Sequence, residues 1–293
     1  MITKGLQARL QTFITENTGE KIGSFKISTV GGGSINQTYK VTINGKDQFF
    51  CKVNSNKKFP RMFEKESKGL ELLASHNVIR VPEVIGLFTE DDHQVLVLEW
   101  IEQGPKIHSF WKLFGEQLAA LHSIHSAFAG LDEDNYMGAL PQSNQLSADW
   151  ISFFIEERLK PQIKLASDKK YLQPQHHRHF ENLFRELPNI FPTNELVLLH
   201  GDLWSGNFLC DASGRPVLID PAVYFGHPAV DLGMTTLFGG FDIVFYQSYN
   251  HQLPFSPNHQ RQWEVCNLYP LLVHLNLFGK GYLQSIIASI QYY

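Results

Sequence analysis

Residues 196–221 read LVLLHGDLWSGNFLCDASGRPVLIDP, two apolar strand-like runs that deliver polar residues at their ends and enclose a short hairpin. This stretch constrains the fold most, because Asp202, Asn207 and Asp220 stand five and then thirteen residues apart and follow runs that belong inside a core. A turn rich in Asp and Asn caps many hairpins. Such a turn does not call for a further carboxylate at the end of the apolar strand VLID. Phosphoryl transfer from ATP, in contrast, needs a carboxylate that orients the attacking hydroxyl and accepts its proton. It also needs oxygen ligands that hold Mg²⁺ against the phosphates. On that reading Asp202 is the base, Asn207 and Asp220 are the Mg²⁺ ligands, and His200 supports the loop by packing and hydrogen bonding. Cys210 and the Gly214 hairpin read as structural.

The rest of the chain is organised around this island. Leu6, Leu10, Phe13 and Ile14 recur at helical spacing within residues 4–17. The segments FKISTV (25–30), TYKVTI (38–43) and QFFCKV (48–53) are short and rich in β-branched and aromatic residues, with Asn44-Gly45 as a turn signal, and predict an antiparallel meander. Residues 60–76 predict a helix, and VIGLF and QVLVLEWI two further strands. From Ser109 onward helical patterns dominate. The composition shift ending at Gly104-Pro105 marks the boundary between a β-rich first part, residues 1–101, and a helical second part, residues 102–293.

Composition narrows the function. The net charge of −4 and the absence of an overall basic footprint argue against nucleic acid or an anionic membrane as partner. No stretch approaches the roughly 18 apolar residues of a spanning helix, so a cytoplasmic protein without membrane association is expected. Cys51, Cys210 and Cys266 form neither a CxxC pair nor a metal spacing, which fits a reducing compartment. The oligomeric state stays open, with a monomer favoured.

Protein kinases usually carry Arg between the His and Asp of the loop and end the metal motif in Asp-Phe-Gly. His200-Gly201-Asp202 and Ile219-Asp220-Pro221 instead resemble the aminoglycoside/choline phosphotransferase group. The segments LLHGDLWSGNFL, IDPAVYFGHPAVDLGMTTLFGGF and NLYPLLVHLNLFGKGYL are similar to the fructosamine (ketosamine 3-) kinase family in particular, and the likeness spans essentially the whole chain. Relatives commonly carry Arg-Glu just ahead of the position of Asp231, where this chain has Pro228-Ala229.

The resemblance implies an α+β, two-lobed protein-kinase-like fold, with an antiparallel β-rich N-lobe for the nucleotide and a mainly helical C-lobe for catalysis, metal and acceptor. It implies ATP and Mg²⁺ as cofactors and transfer to O3 of a ketosamine, a small-molecule or glycated-amine substrate. Asp231 is then expected to brace the catalytic loop. Within this frame the glycine-rich VGGGSINQTYKV places Gly31, Gly32, Gly33 and Ser34 against phosphates; by itself it reads equally as a tight hairpin. Lys52, flanked by Phe50, Cys51 and Val53, is expected at the α/β-phosphates with a carboxylate partner. Glu66 is favoured by the pattern E-x-x-G-L, with Glu64 and Glu71 as rivals. Adenine is expected at the backbone of Glu99, Trp100 and Ile101, through the Glu99 carbonyl and the Ile101 amide. Trp204 is expected at the acceptor, the alternative being that it packs the loop. Kinases of the same fold acting on aminoglycosides or choline, and a nucleotide-binding pseudokinase, are the rival readings. Joint presence of Lys52, Asp202, Asn207 and Asp220 disfavours the last. His176, His177 and His179 suggest a solvated helix face rather than a metal site, His122 a buried hydrogen-bonded side chain, and the aromatic C-terminus, with Tyr269, His274, Asn276, Phe278 and Tyr282, mostly core, some of it at the acceptor pocket as the resemblance implies.

Overall fold

In the computed structural model, which describes residues 2–19, 21–31 and 35–293, the alternating segments of the first hundred residues form a five-stranded antiparallel sheet. Its strands are β1 (Phe25–Thr29), β2 (Gln37–Ile43), β3 (Asp47–Ser55), β4 (Val84–Glu90) and β5 (His93–Glu99), in the spatial order β1-β2-β3-β5-β4. Asn44 and Gly45 adopt positive φ of 52° and 70°, and Lys46 N donates to Ile43 O at 3.0 Å. The expected Asn-Gly turn thus joins β2 to β3 in the hand that matches strand twist. Helix α1 (Lys4–Thr18) is capped by the Thr3 hydroxyl and ends on Gly19 at φ 73°. Its buried Leu6, Leu10, Phe13 and Ile14 pack with Tyr39, Val41, Cys51, Val53, Val95 and Val97 in one core. Cys51 and Val53 lie on that face, so Lys52, one residue out of phase, projects to the other, where α2 (Met62–Ser75) supplies Glu66.

Two compact units emerge: Met1–Lys106 with Leu209–Ile219, and Ile107–Phe208 with Asp220–Tyr293. The second unit starts with α3 (Phe110–Leu121), the hairpin β6 (Asn135–Met137) and β7 (Leu140–Gln142), and α4 (Trp150–Phe153). A π-helical turn (Phe154–Leu159) then leads into α5 (Lys160–Asp168) and α6 (Pro174–Ile190). The turn delivers Arg158, fully buried, between the rings of Phe153 and Tyr224 at 4.5 and 4.0 Å, where Asn144 Oδ1 accepts from its guanidinium at 2.7 Å. The island follows as β8 (Val197–Leu199), β9 (Phe208–Cys210), β10 (Pro216–Leu218) and β11 (Tyr224–Gly226), and the chain closes with α7 (Ala229–Leu237), α8 (Ile243–Gln252), α9 (His259–Cys266), α10 (Leu268–Phe278) and α11 (Leu283–Ile290).

The β9–β10 hairpin groups with the first unit, which a boundary drawn along the sequence does not show. Arg80 fastens it: Asp211 Oδ2 accepts from the guanidinium at 2.7 Å, and Leu218 N donates to Arg80 O at 2.9 Å. Asp211 also accepts from Ser213 and Arg215. Burial alone would raise its carboxyl, but these bonds prevail and hold it down at about 2.

His176 departs from its sequence reading as part of a solvated face. It is buried and closes a capping box at the start of α6, its Nδ1 accepting from Gln173 N at 3.1 Å. His177 meets the Ser167 hydroxyl at 3.0 Å and His179 donates to the Tyr293 carbonyl at 2.8 Å, so these side chains hold α6 in place. No helix among the described residues is long and apolar enough to cross a membrane. All three cysteines are buried free thiols.

Candidate active site

β8 and β11 pair antiparallel in the register Leu199 with Tyr224 and Val197 with Gly226. Residues 200–202 leave β8 at the same end at which residues 220–222 enter β11, so this short ladder sets two loops side by side. Ala222 N donates to His200 O at 2.9 Å. The loops approach so closely that a Cβ on Gly201 would lie 2.1 Å from Ala222 O, and Gly201 itself has φ 83°. Only glycine meets both demands.

Asp231, in the first turn of α7, holds the loop that follows β8. Its Oδ2 accepts from His200 N at 2.8 Å and its Oδ1 from Gly201 N at 2.9 Å. His122 Nε2 lies 3.2 Å from Asp231, and His122 Nδ1 lies 2.8 Å from the Tyr249 hydroxyl. Both His122 and Asp231 are completely buried. Burial alone would push the Asp231 carboxyl up, but the His122 contact and the loop amides prevail, and its pKa stays below the usual carboxylate value.

Asp202 sits at the tip of this braced loop. Asn207 Nδ2 donates to the Asp202 carbonyl at 2.8 Å and to Asp202 Oδ2 at 2.9 Å, while Asn207 N donates to Trp204 O at 3.0 Å. The five-residue spacing therefore closes a turn in which the amide of Asn207 clamps the carboxylate of Asp202. Burial pushes the Asp202 carboxyl up to about 7; the Asn207 bond pulls the other way, and the nearby Asp220 and Asp231 add to the rise. Asp220 occupies a left-handed conformation, φ 55°, at the mouth of β11. Such strain in a non-glycine residue persists where the surrounding structure overdetermines it.

The donor set of this site suits a hard cation. Asn207 uses its amide nitrogen on Asp202, and its Oδ1 accepts no hydrogen bond among the described residues. With the Asp220 carboxylate it offers oxygen ligands of the kind Mg²⁺ takes, one or two protein oxygens completed by water and phosphate. No group of three His, Cys, Asp or Glu side chains that could enclose a metal occurs among the described residues.

In the first unit, Lys52 Nζ lies 2.6 Å from Glu66 Oε1, and Lys52 is only 3% exposed. The rivals are engaged elsewhere: Glu64 pairs with Arg61 and Lys68, and Glu71 accepts from the Ser67 hydroxyl. Thr38 clasps the strand ahead of the glycine-rich loop, its hydroxyl donating to Val30 O at 2.7 Å and its carbonyl accepting from Val30 N at 3.0 Å. Gly31 follows, with no atom of the described residues within 4 Å of where a Cβ would stand, whereas Gly32, Gly33 and Ser34 lie outside the described residues. At the end of β5, Arg80 holds the Glu99 side chain, Lys40 Nζ sits 4.0 Å over the Trp100 ring, and the buried Ile101 keeps an amide without a hydrogen-bond partner among the described residues.

Trp204 is 37% exposed, and its indole lies so close over Gly206 that a Cβ there would come within 2.3 Å of the ring. Phe208, next to Asn207, anchors the other end of the loop in a cluster with Phe110, Trp111, Phe114 and Phe241, at centroid distances of 5.1 to 6.1 Å. Sequence reasoning passed over Gly206, Phe208 and Tyr249. A glycine two residues after a tryptophan in the loop after β8 is the local signal; Tyr249 has none, since it joins through a contact 127 residues distant.

The chain matches the fructosamine kinase family model over residues 6–293. It is 41% identical over 273 residues to a protein named probable ketoamine kinase from Synechocystis, covering 93% of this chain and 91% of that protein. A solved structure from Thermobifida fusca, provisionally named a fructosamine-3-kinase, superposes with a TM-score of 0.87 at 30% identity, covering 99% of this chain and 98% of that one. An aminoglycoside phosphotransferase at 15% identity, with 96% of each chain covered, still gives a TM-score of 0.60, which shows that the fold is the protein-kinase-like one, with an antiparallel β-rich part and a helical part. The chain belongs to the fructosamine kinase family.

Proposed function

We propose that this protein transfers the γ-phosphoryl group of ATP to O3 of a ketosamine such as ribulosamine or fructosamine. The observation that carries the reading is the clamp of Asn207 on Asp202 in a chain of this family. Because Asn207 Nδ2 occupies Asp202 Oδ2, Oδ1 is the oxygen left to face the acceptor hydroxyl. The ionised Asp202 carboxylate takes the proton of O3 as the O3–phosphorus bond forms and ADP leaves. Asn207 and Asp220 would hold Mg²⁺, which when bound would neutralise charge at the phosphate oxygens.

Residues 1–101 serve the nucleotide. Gly31 to Ser34 line the phosphates, Lys52, fixed by Glu66, meets the α- and β-phosphates, and the backbone from Glu99 through Trp100 to Ile101 meets adenine, with the Ile101 amide as a donor awaiting an acceptor. Residues 102–293 carry the chemistry, with His200 and Asp231 supporting the loop and Trp204 presenting a flat face to the sugar. A phosphate on O3 makes the adduct prone to eliminate and release its amine, so the biological role is repair of glycated amines or proteins. The three buried free thiols accord with a cytoplasmic setting.

ATP consumption measured against ribulosamine, erythrulosamine, fructosamine, kanamycin-type aminoglycosides and choline tests the reading. Turnover with one or more ketosamines alone is the expected pattern. Phosphorylation of an aminoglycoside or of choline without any ketosamine would overturn it.

A further inference from the structure

Five rings form a continuous row that begins in the catalytic loop. Trp204 meets Phe238 edge-on at 5.8 Å between centroids, Phe238 meets His274 at 5.1 Å, and His274 meets both Phe278 at 5.4 Å and Tyr282 at 5.0 Å. Rings assembled only to stabilise the fold would be covered, yet Trp204, Phe238 and Phe278 are 37%, 40% and 55% exposed. A contiguous exposed apolar strip beside a reactive loop marks a surface with something to bind. One member is polar. His274 Nδ1 lies 2.7 Å from the Pro270 carbonyl, and since a carbonyl can only accept, Nδ1 carries the proton. Burial lowers the pKa of the ring and favours the neutral form, whose Nε2 is then an acceptor with no hydrogen-bond partner among the described residues.

We propose that this row is the subsite for the amine-borne substituent of the acceptor, and that it makes the enzyme prefer ketosamines whose amine carries an aromatic or long apolar group. The inference rests on the ketosamine reading above. In a ketosamine the amine is attached to the carbon two positions from the one that bears O3. With O3 at Asp202 and the sugar on Trp204, the nitrogen and its substituent leave the sugar within reach of the adjoining rings. The N–H of the amine matches the Nε2 acceptor of His274, and the substituent covers Phe238, Phe278 and Tyr282, which stay wet without it. Such a strip is indifferent to the identity of the sugar and sensitive to the carbon content of the amine.

Two ribulosamines that share the sugar, one made from benzylamine and one from methylamine, separate the contributions. The parent enzyme is expected to favour the benzyl compound by about tenfold in kcat/KM, mainly through KM, the discrimination a partly open apolar site provides. Phe278 is the most exposed ring and sits at the last residue of α10, so Phe278→Ala is expected to fold as the parent does, with an unchanged melting temperature. In that variant the preference should fall to about twofold or less, and Phe278→Tyr should restore it. Equal use of the two compounds by the parent, or a preference that survives Phe278→Ala, overturns the subsite while leaving the kinase reading intact. If neither ribulosamine is phosphorylated and an aminoglycoside is, the ketosamine reading falls and the subsite with it.

Discussion

At the scale of the residue, Asp202 and Asn207 form a unit with unequal parts. Asp202→Asn keeps the size of the side chain and removes the proposed proton acceptor, so kcat is expected to fall by about 10³-fold while ATP binding, measured by calorimetry, stays close to that of the parent. Turnover within tenfold of the parent would rule out the role as base. Asp220→Ala removes a proposed Mg²⁺ ligand, and here both the Mg²⁺ concentration needed for half-maximal rate and kcat should worsen. An unchanged Mg²⁺ dependence would place the cation elsewhere. Trp204→Ala separates two roles of one ring. If the indole carries the sugar, KM for the ketosamine rises, or kcat drops as the hydroxyl loses its position, while KM for ATP changes little. If the ring only fastens the loop by lying over Gly206 and against Phe238, the melting temperature falls and the two KM values move together.

At the scale of the element, what holds the loop is the pairing of β8 with β11 above and α7 beneath. Gly201→Ala would set a Cβ against the Ala222 carbonyl and force alanine into a left-handed conformation, so a loss of about 2–4 kcal/mol, read by denaturant titration, is expected together with loss of activity. A variant as stable as the parent would show that the two loops can part. Much of this was legible from the chain. The strands of the first sheet announce themselves by their β-branched and aromatic residues, and Asn44-Gly45 names its own turn, because both signals are local. The turn that joins Asp202 to Asn207 was legible for the same reason: a turn of five residues needs no distant partner. The rest was not local. Helical periodicity could not fix which of Glu64, Glu66 and Glu71 faces Lys52, since the phase of α2 is set by how Phe63, Leu70 and Leu73 enter the core. Tyr249 and His122 meet only because α8 crosses α3 closely, at Gly115, where a Cβ would lie 2.3 Å from the Phe245 carbonyl. His176 looked solvated because its neighbours are polar, yet the capping box turns it inward.

At the scale of the whole molecule, the island that encodes the site is shared out: its loop residues belong to the second unit and its hairpin to the first. The hairpin depends on Asp211, whose carboxyl is held at about 2, below its unfolded value near 3.9. A depressed carboxylate stabilises above its unfolded pKa and loses that contribution as pH falls through the folded one. With Arg80 half open to solvent, the contribution is roughly 1–2 kcal/mol. Asp211→Asn should therefore lower the melting temperature at pH 7 by several degrees, and its gap to the parent should close between about pH 4 and pH 2. A gap independent of pH would assign the loss to packing instead. The central claim, that Asp202 drives phosphorylation of a ketosamine at O3, is tested most directly by phosphorus–proton correlation NMR of a ribulosamine incubated with ATP, Mg²⁺ and the enzyme. The account predicts that phosphorus couples to the proton on C3 with the parent enzyme and that no phosphorylated sugar accumulates with Asp202→Asn. Coupling to any other sugar proton, or the same product from the variant at the parent's rate, would contradict it.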